Sequence, residues 1–134
     1  MNSSSVSTIS VLVVDDEVGL RRLVSNWLGK AGFRVEQAAD GVEALDLISR
    51  QHFDVVFTDI AMPNMNGITL YKNLLADYPR IKVLFTSGYA DVLERFPEIK
   101  SSTLPKPYKK EDVVALLTCA AARETPCRAN LPPS

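Results

Sequence analysis

The amino-acid sequence predicts an α/β domain of the (βα)5 kind, a doubly wound parallel five-stranded sheet with helices on both faces. Three observations carry that expectation. Short runs rich in β-branched residues alternate with segments of helical period, and strict alternation builds parallel sheets joined by right-handed crossovers. The run "ISVLVV" (9–14) has no polar alternation, the mark of a strand covered on both faces. A length of 134 residues with 46% hydrophobic and 23% charged content suits a single core.

Each element follows from the local pattern. After the first strand, Leu20, Leu23, Val24, Trp27, Leu28 and Ala31 fall on one helical stripe, which Gly32 stops. "FRVEQA" (33–38) reads as a second, weaker strand, Ala44, Leu45 and Ile48 mark a second helix, and "FDVVFT" (53–58) a third strand. Leu70, Tyr71, Leu74, Leu75 and Tyr78 define a third helix, followed by a fourth strand, "IKVLFTS" (81–87). Residues 90–96 suit a short fourth helix stopped near Pro97. "STL" (102–104) suits a short fifth strand, and Val113, Leu116, Leu117 and Ala120 lie on a final helix. The serine-rich residues 1–8 and the proline-bearing residues 123–134 read as tails, which leaves 9–122 as the folded part.

Composition excludes several roles. Net charge is −1, with no cluster of Lys or Arg, which argues against nucleic-acid backbone binding as the main task. Apolar runs fall well short of the roughly 20 residues a membrane span needs, and the N-terminus lacks a signal pattern, so a cytoplasmic location is expected. Cys119 and Cys127 make neither a disulfide framework nor a metal motif, and read as a helix residue and a tail residue. His52 precedes the third strand, at the edge of the sheet away from the strand ends, and reads as a surface residue. Trp27 and Met62 read as packing.

The informative residues are the polar ones at strand ends. In "DVVFTDIAMPNMNG" (54–67) an apolar run breaks off at one carboxylate, Asp59. Ligands of open parallel sheets sit beyond the carboxyl ends of the strands, where strand order reverses. Strand 1 ends in Asp15 and Asp16, strand 3 in Asp59, strand 4 in Thr86 and Ser87, and strand 5 runs into Lys106. If the order is 2-1-3-4-5, strands 1 and 3 are neighbours and gather the three carboxylates. Their repulsion is relieved by a hard cation with oxygen ligands. Mg²⁺ suits best, because it binds through one or two carboxylates plus waters and phosphate oxygens. Asp59 then supplies a nucleophile toward phosphorus, Lys106 an ammonium, and Ser87 or Thr86 a hydroxyl for the phosphoryl oxygens. Singly, each has a plainer role: Asp15 or Asp16 as a helix cap, Asp59 as a turn residue before Pro63, Ser87 as a cap, Lys106 as a solvated loop residue.

Taken together, "VLVVDDE", "DIAMPNMNG", "FTSG" and "PKPY", in this order and spacing, resemble the receiver domains of bacterial two-component response regulators, across residues 9–122. The resemblance implies a flavodoxin-like sheet of order 2-1-3-4-5, Asp59 as phosphoacceptor, Asp16 as a direct Mg²⁺ ligand, Asp15 as a water-mediated one and the Ala61 carbonyl as a further ligand. It also implies Ser87 as switch hydroxyl, with Thr86 one register away as the alternative, Lys106 as the phosphate-binding lysine, and a cis Lys106–Pro107 bond. Two features depart from the family pattern. Thr103 stands where the family often has an aromatic rotamer switch, and "DVLERFPEIKSST" (91–103) is compressed where many receivers carry a longer fourth helix. Ala61 and Tyr89 occupy the positions that flank the water's approach to phosphorus in the family.

The expected function is therefore that of a receiver in a phosphorelay, taking a phosphoryl group from the phosphohistidine of a sensor histidine kinase or histidine phosphotransfer protein onto Asp59. It is expected to promote its own phosphorylation and dephosphorylation without acting as an enzyme on a separate substrate. With no output domain in the sequence, signalling is expected through a downstream protein effector, the chain being a monomer or a phosphorylation-dependent dimer and either a stand-alone regulator or the receiver of a hybrid kinase. The alternative is a receiver-fold interaction module that is never phosphorylated. A small phosphatase is disfavoured because position 61, two residues after Asp59, is Ala and offers no general acid.

Overall fold

The computed structural model describes residues 8–62, 65–88 and 102–122. The expected fourth helix at 90–96, Pro63, Tyr89, Cys127 and nearly all of both tails lie outside the described residues. Among the described residues the elements run β1 (Ser10–Val14), α1 (Val18–Lys30), β2 (Arg34–Ala38), α2 (Gly41–Arg50), β3 (Val55–Asp59), α3 (Gly67–Asp77), β4 (Lys82–Ser87), β5 (Thr103–Pro105) and α4 (Lys110–Ala122). All strand pairs are parallel, and the sheet order is β2-β1-β3-β4-β5. Boundaries differ from the sequence reading by one or two residues, and β5 is shifted by one.

The two central strands are buried at every position, so alternate side chains feed two separate layers. Val11, Val13, Val55 and Phe57 pack with Val24 and Leu28 of α1 and with Val113, Leu116 and Leu117 of α4. Leu12, Val14 and Val56 point the other way, toward Ala44 and Ile48 of α2 and Leu70 and Leu74 of α3. The apolar run is thus explained by burial on both faces, and its polar ends by emergence at one edge. Trp27 and Met62 pack against these layers as expected. His52 is exposed and pairs with Asp54 at 3.0 Å.

Three expectations need correction. Leu23 is 45% exposed and Leu75 53%, so neither belongs to the buried stripe of its helix. On α1 the fully buried positions narrow to Val24 and Leu28, a spacing of one turn, because a helix lying on a sheet presents only a narrow strip to it. Cys119 is disulfide-bonded, a pairing that the spacing does not announce.

Candidate functional site

β1 ends at Val14, and the chain turns at once. Asp15 N still donates to Ala38 O at 3.1 Å, while Asp15 Oδ1 accepts from Glu17 N at 2.9 Å. A carboxylate that bonds the backbone two residues on is an Asx turn, and it turns Asp15 inward to 3% exposure. Asp16 is exposed. The N-cap of α1 is Glu17, with no side-chain cap bond, so neither Asp15 nor Asp16 serves as the cap.

Asp59 closes β3 at 6% exposure, and its Oδ1 accepts from Ala61 N at 3.3 Å. The chain then returns beneath it. Gly67 N donates to Ile60 O at 2.8 Å, and a Cβ on Gly67 would run into the Asp59 carbonyl oxygen. Glycine is required here by close approach of two backbone segments. Asn66, in the same motif, caps α3 by accepting from Thr69 N at 2.9 Å.

Lys106 arrives from the other side. Its N donates to Ser87 O at 2.8 Å, the following Lys106–Pro107 bond is cis, and its Nζ lies 3.0 Å from Asp59 Oδ2 and 3.6 Å from Asp15 Oδ2. Asp15, Asp16 and Asp59 each place a carboxylate oxygen within 4.8 Å of the others. Burial pushes the Asp59 carboxyl above its usual range; the Lys106 bond and charge pull it down, Asp15 pushes it up again, and the net direction is up. For Lys106, burial pulls downward, but the attraction of Asp59 and Asp15 outweighs it and the ammonium is held more tightly than usual.

Thr86 pairs with Asp59 in register and is in phase with Leu84, whose side chain belongs to the α1/α4 layer. Its Oγ1 is buried without a well-formed hydrogen bond; the Tyr108 hydroxyl is near enough to influence it, but short of bonding geometry. Ser87 is 5% exposed and in phase with Phe85, on the opposite face. Thr103 is buried and pairs with Phe85, so no aromatic side chain occupies that position. The Tyr108 ring instead meets Phe57 edge-on at 6.1 Å and Trp27 at 6.5 Å.

Asp15, Asp16, Asp59, Lys106, Ser87 and Thr86 therefore gather at the carboxyl edge of the sheet, with Ala61 in the turn that follows Asp59. The sequence reading missed Arg21, whose Nη1 donates to Asp15 O at 2.8 Å. It also missed Asn66 and Tyr108, of which only Asn66 carries a local signal, its place just ahead of the helical run.

Three hard carboxylate donors at this spacing fit a divalent cation such as Mg²⁺ better than a soft metal. An ammonium held between two of them fits the binding of a phosphoryl group next to a carboxylate nucleophile.

A family model for the response regulator receiver domain matches residues 11–118. The chain is 32% identical over 121 residues to response regulator MprA of Mycobacterium sp. (strain KMS), covering 88% of this chain and 53% of that protein. It thus spans about half the length of that relative. It is 30% identical over 106 residues to sporulation initiation phosphotransferase F of Bacillus subtilis, covering 77% of this chain and 86% of that one. Among solved structures it resembles chemotaxis response regulator CheY4 of Vibrio cholerae, with a TM-score of 0.77 and 30% identity over 85% of this chain and 99% of that one.

Proposed function

The chain belongs to the response regulator receiver family, and from that premise we propose that it takes a phosphoryl group from a partner's phosphohistidine onto Asp59, with a divalent cation held by Asp15, Asp16, Asp59 and the Ala61 carbonyl. The observation that carries this reading is the grip of Lys106 on Asp59 at 3.0 Å beside three clustered carboxylates.

The residues divide the work. An Asp59 oxygen forms a bond to phosphorus as the phosphorus–nitrogen bond to the donor imidazole breaks, and the imidazole leaves to be protonated by solvent. The Lys106 ammonium stands beside that oxygen and balances charge on the phosphoryl group. Mg²⁺, when bound, offsets charge on the phosphoryl oxygens. Loss of the group follows when water attacks phosphorus, returning the Asp59 carboxylate and releasing inorganic phosphate. Ser87 is the switch hydroxyl favoured by the match of "FTSG" to the family, with Thr86, which pairs in register with Asp59, as the alternative.

The donor is a sensor histidine kinase or histidine phosphotransfer protein, and the output passes to a protein effector in the cytoplasm. A module that is never phosphorylated gains no support among the described residues, since the compressed segment that suggested it lies outside them except for Ser102 and Thr103. Incubation with acetyl phosphate and Mg²⁺ followed by intact-mass measurement tests the reading. One phosphate adduct is expected on the wild type and none on Asp59→Ala, and equal adduct yields would overturn it.

A further inference from the structure

The turn after β1 must hold two carboxylates close to a third, against repulsion that is strong at this range in a partly buried setting. Lys106 answers for the charge on Asp15 and Asp59. The backbone of the turn is held by a different cation. Arg21, in the first turn of α1, donates from Nη1 to the Asp15 carbonyl oxygen at 2.8 Å and from Nε to Gln37 Oε1 at 3.2 Å. One planar group thus ties together the end of β1, the start of α1 and the end of β2.

We propose that Arg21 is a positioning residue for the cation and phosphoryl site: its grip on the Asp15 carbonyl and on Gln37 fixes the turn that presents Asp15 and Asp16. This inference deepens the proposed function and rests on it. The guanidinium is suited to the task because its donors are set in a rigid fork, so two bonds fix an orientation that a lysine's single point charge does not. It bonds the main chain of Asp15 and leaves both carboxylate oxygens of that residue to other partners.

Positioning and charge predict opposite outcomes. A cation near a metal site repels the metal, so if charge alone mattered, removing Arg21 would tighten Mg²⁺ binding. If positioning matters more, removal weakens it. Loss of an outer partner that orients a metal ligand typically costs 10-fold or more in affinity, about the size expected here.

The test is titration of the whole chain with MgCl2, followed by amide chemical shifts, on the wild type, Arg21→Ala, Arg21→Lys and Gln37→Ala, with urea melts in EDTA alongside. Arg21→Ala is expected to weaken the apparent Kd about tenfold. Arg21→Lys keeps the charge but loses the fork, and should lie closer to Arg21→Ala than to the wild type. Gln37→Ala, at an exposed position of the edge strand, should weaken binding by a smaller factor with little change in the urea midpoint. An unchanged or tighter Kd in Arg21→Ala, even with a lowered urea midpoint, overturns the inference, since it leaves only a structural role. If Arg21→Ala does not fold, wild-type affinity in both other variants overturns it. A wild type whose Asp15, Asp16 and Asp59 amides ignore Mg²⁺ overturns the proposed site itself, and the inference with it.

Discussion

The Lys106 ammonium donates to Asp59 Oδ2 at 3.0 Å, yet the net effect on Asp59 is a carboxyl that ionises less readily than usual, because burial is the larger influence. The sign of the resulting pH dependence follows. A carboxyl whose pKa is raised by folding binds its proton more tightly in the native state, so stability falls as pH rises from the unfolded value, ordinarily 3.8, through the raised folded value, and is level above it. In EDTA, the stability difference between wild type and Asp59→Asn should therefore drift against the wild type across that window. Urea midpoints measured at steps of pH check this. A difference that moves in favour of the wild type would mean that Lys106 outweighs burial.

Asp16 offers a cleaner probe of crowding in the carboxylate cluster. It is exposed and is not the α1 cap, so replacing it removes charge without removing a known backbone bond. Asp16→Asn is expected to stabilise the protein in EDTA by a few tenths of a kcal/mol up to about 1 kcal/mol, the size of an exposed charge–charge interaction. The gain from added Mg²⁺ should shrink, since a ligand that binds only the native state stabilises in proportion to its affinity. Urea melts with and without Mg²⁺ read both effects, and a mutant less stable than wild type in EDTA would contradict the repulsion argument.

Thr86 and Ser87 are separated by side-chain direction. Thr86→Val replaces a buried hydroxyl that makes no well-formed bond with a methyl of similar shape, so the fold should be unaffected or slightly more stable. Phosphorylation-dependent change should survive it. Ser87→Ala should accept phosphate but lose the shift changes around β4 and β5 on adding a beryllofluoride mimic, because a charge-assisted bond made only in the loaded state is missing. Equal responses in Ser87→Ala and wild type, with loss in Thr86→Val, would transfer the role to Thr86.

Much of this was legible in the sequence, and for identifiable reasons. Unbroken, β-branched apolar runs such as 11–14, too short for a helix of their own, read as central strands of a parallel sheet, and their polar ends mark one edge. The strand order was supplied by family resemblance, since alternation alone does not say that β1 lies between β2 and β3. Arg21 was invisible because its partner Gln37 is 16 residues away and meets it only once β1 and β2 pair. Leu23 and Leu75 misled because helical period selects a broad stripe, whereas contact with the sheet buries a narrower one. The choice between Thr86 and Ser87 stays open in the sequence, because two adjacent hydroxyls at the end of β4 point to opposite faces and the apolar pattern does not say which one meets a group bound at Asp59.

Two glycines should respond in opposite ways to alanine. A Cβ on Gly67 meets the Asp59 carbonyl oxygen and the Ile60 backbone, which have little room to yield. Gly67→Ala is expected to cost about 1–3 kcal/mol, the usual penalty of overpacking, and to lower phosphate adduct yield by displacing Asp59. Gly29, inside α1, has nothing within 4 Å of its would-be Cβ, so Gly29→Ala should stabilise by about 0.5–1 kcal/mol through helix propensity and leave the adduct unchanged. Urea melts and intact mass on the two variants check the contrast, and a Gly67→Ala protein as stable as wild type would show that the loop can shift without cost.

The lifetime of the phosphoryl group should depend on Ala61. Its backbone N–H bonds Asp59 Oδ1 at 3.3 Å, and its side chain is an exposed methyl. Hydrolysis needs a water in line with phosphorus, and a methyl two residues from the phosphoacceptor neither orients that water nor takes its proton. The phosphorylated wild type should accordingly be long-lived. Ala61→Asn places an amide in the same position without disturbing the backbone bond, and a hydrogen bond that positions the water should speed loss of phosphate. A tenfold acceleration corresponds to about 1.4 kcal/mol of barrier. Following the decay of the adduct after removal of the donor measures it, with Ala61→Val as a control that adds bulk and no polar group. Valine should leave the rate unchanged or slow it. Decay accelerated equally by both substitutions would mean that the rate responds to a disturbed turn rather than to an oriented water.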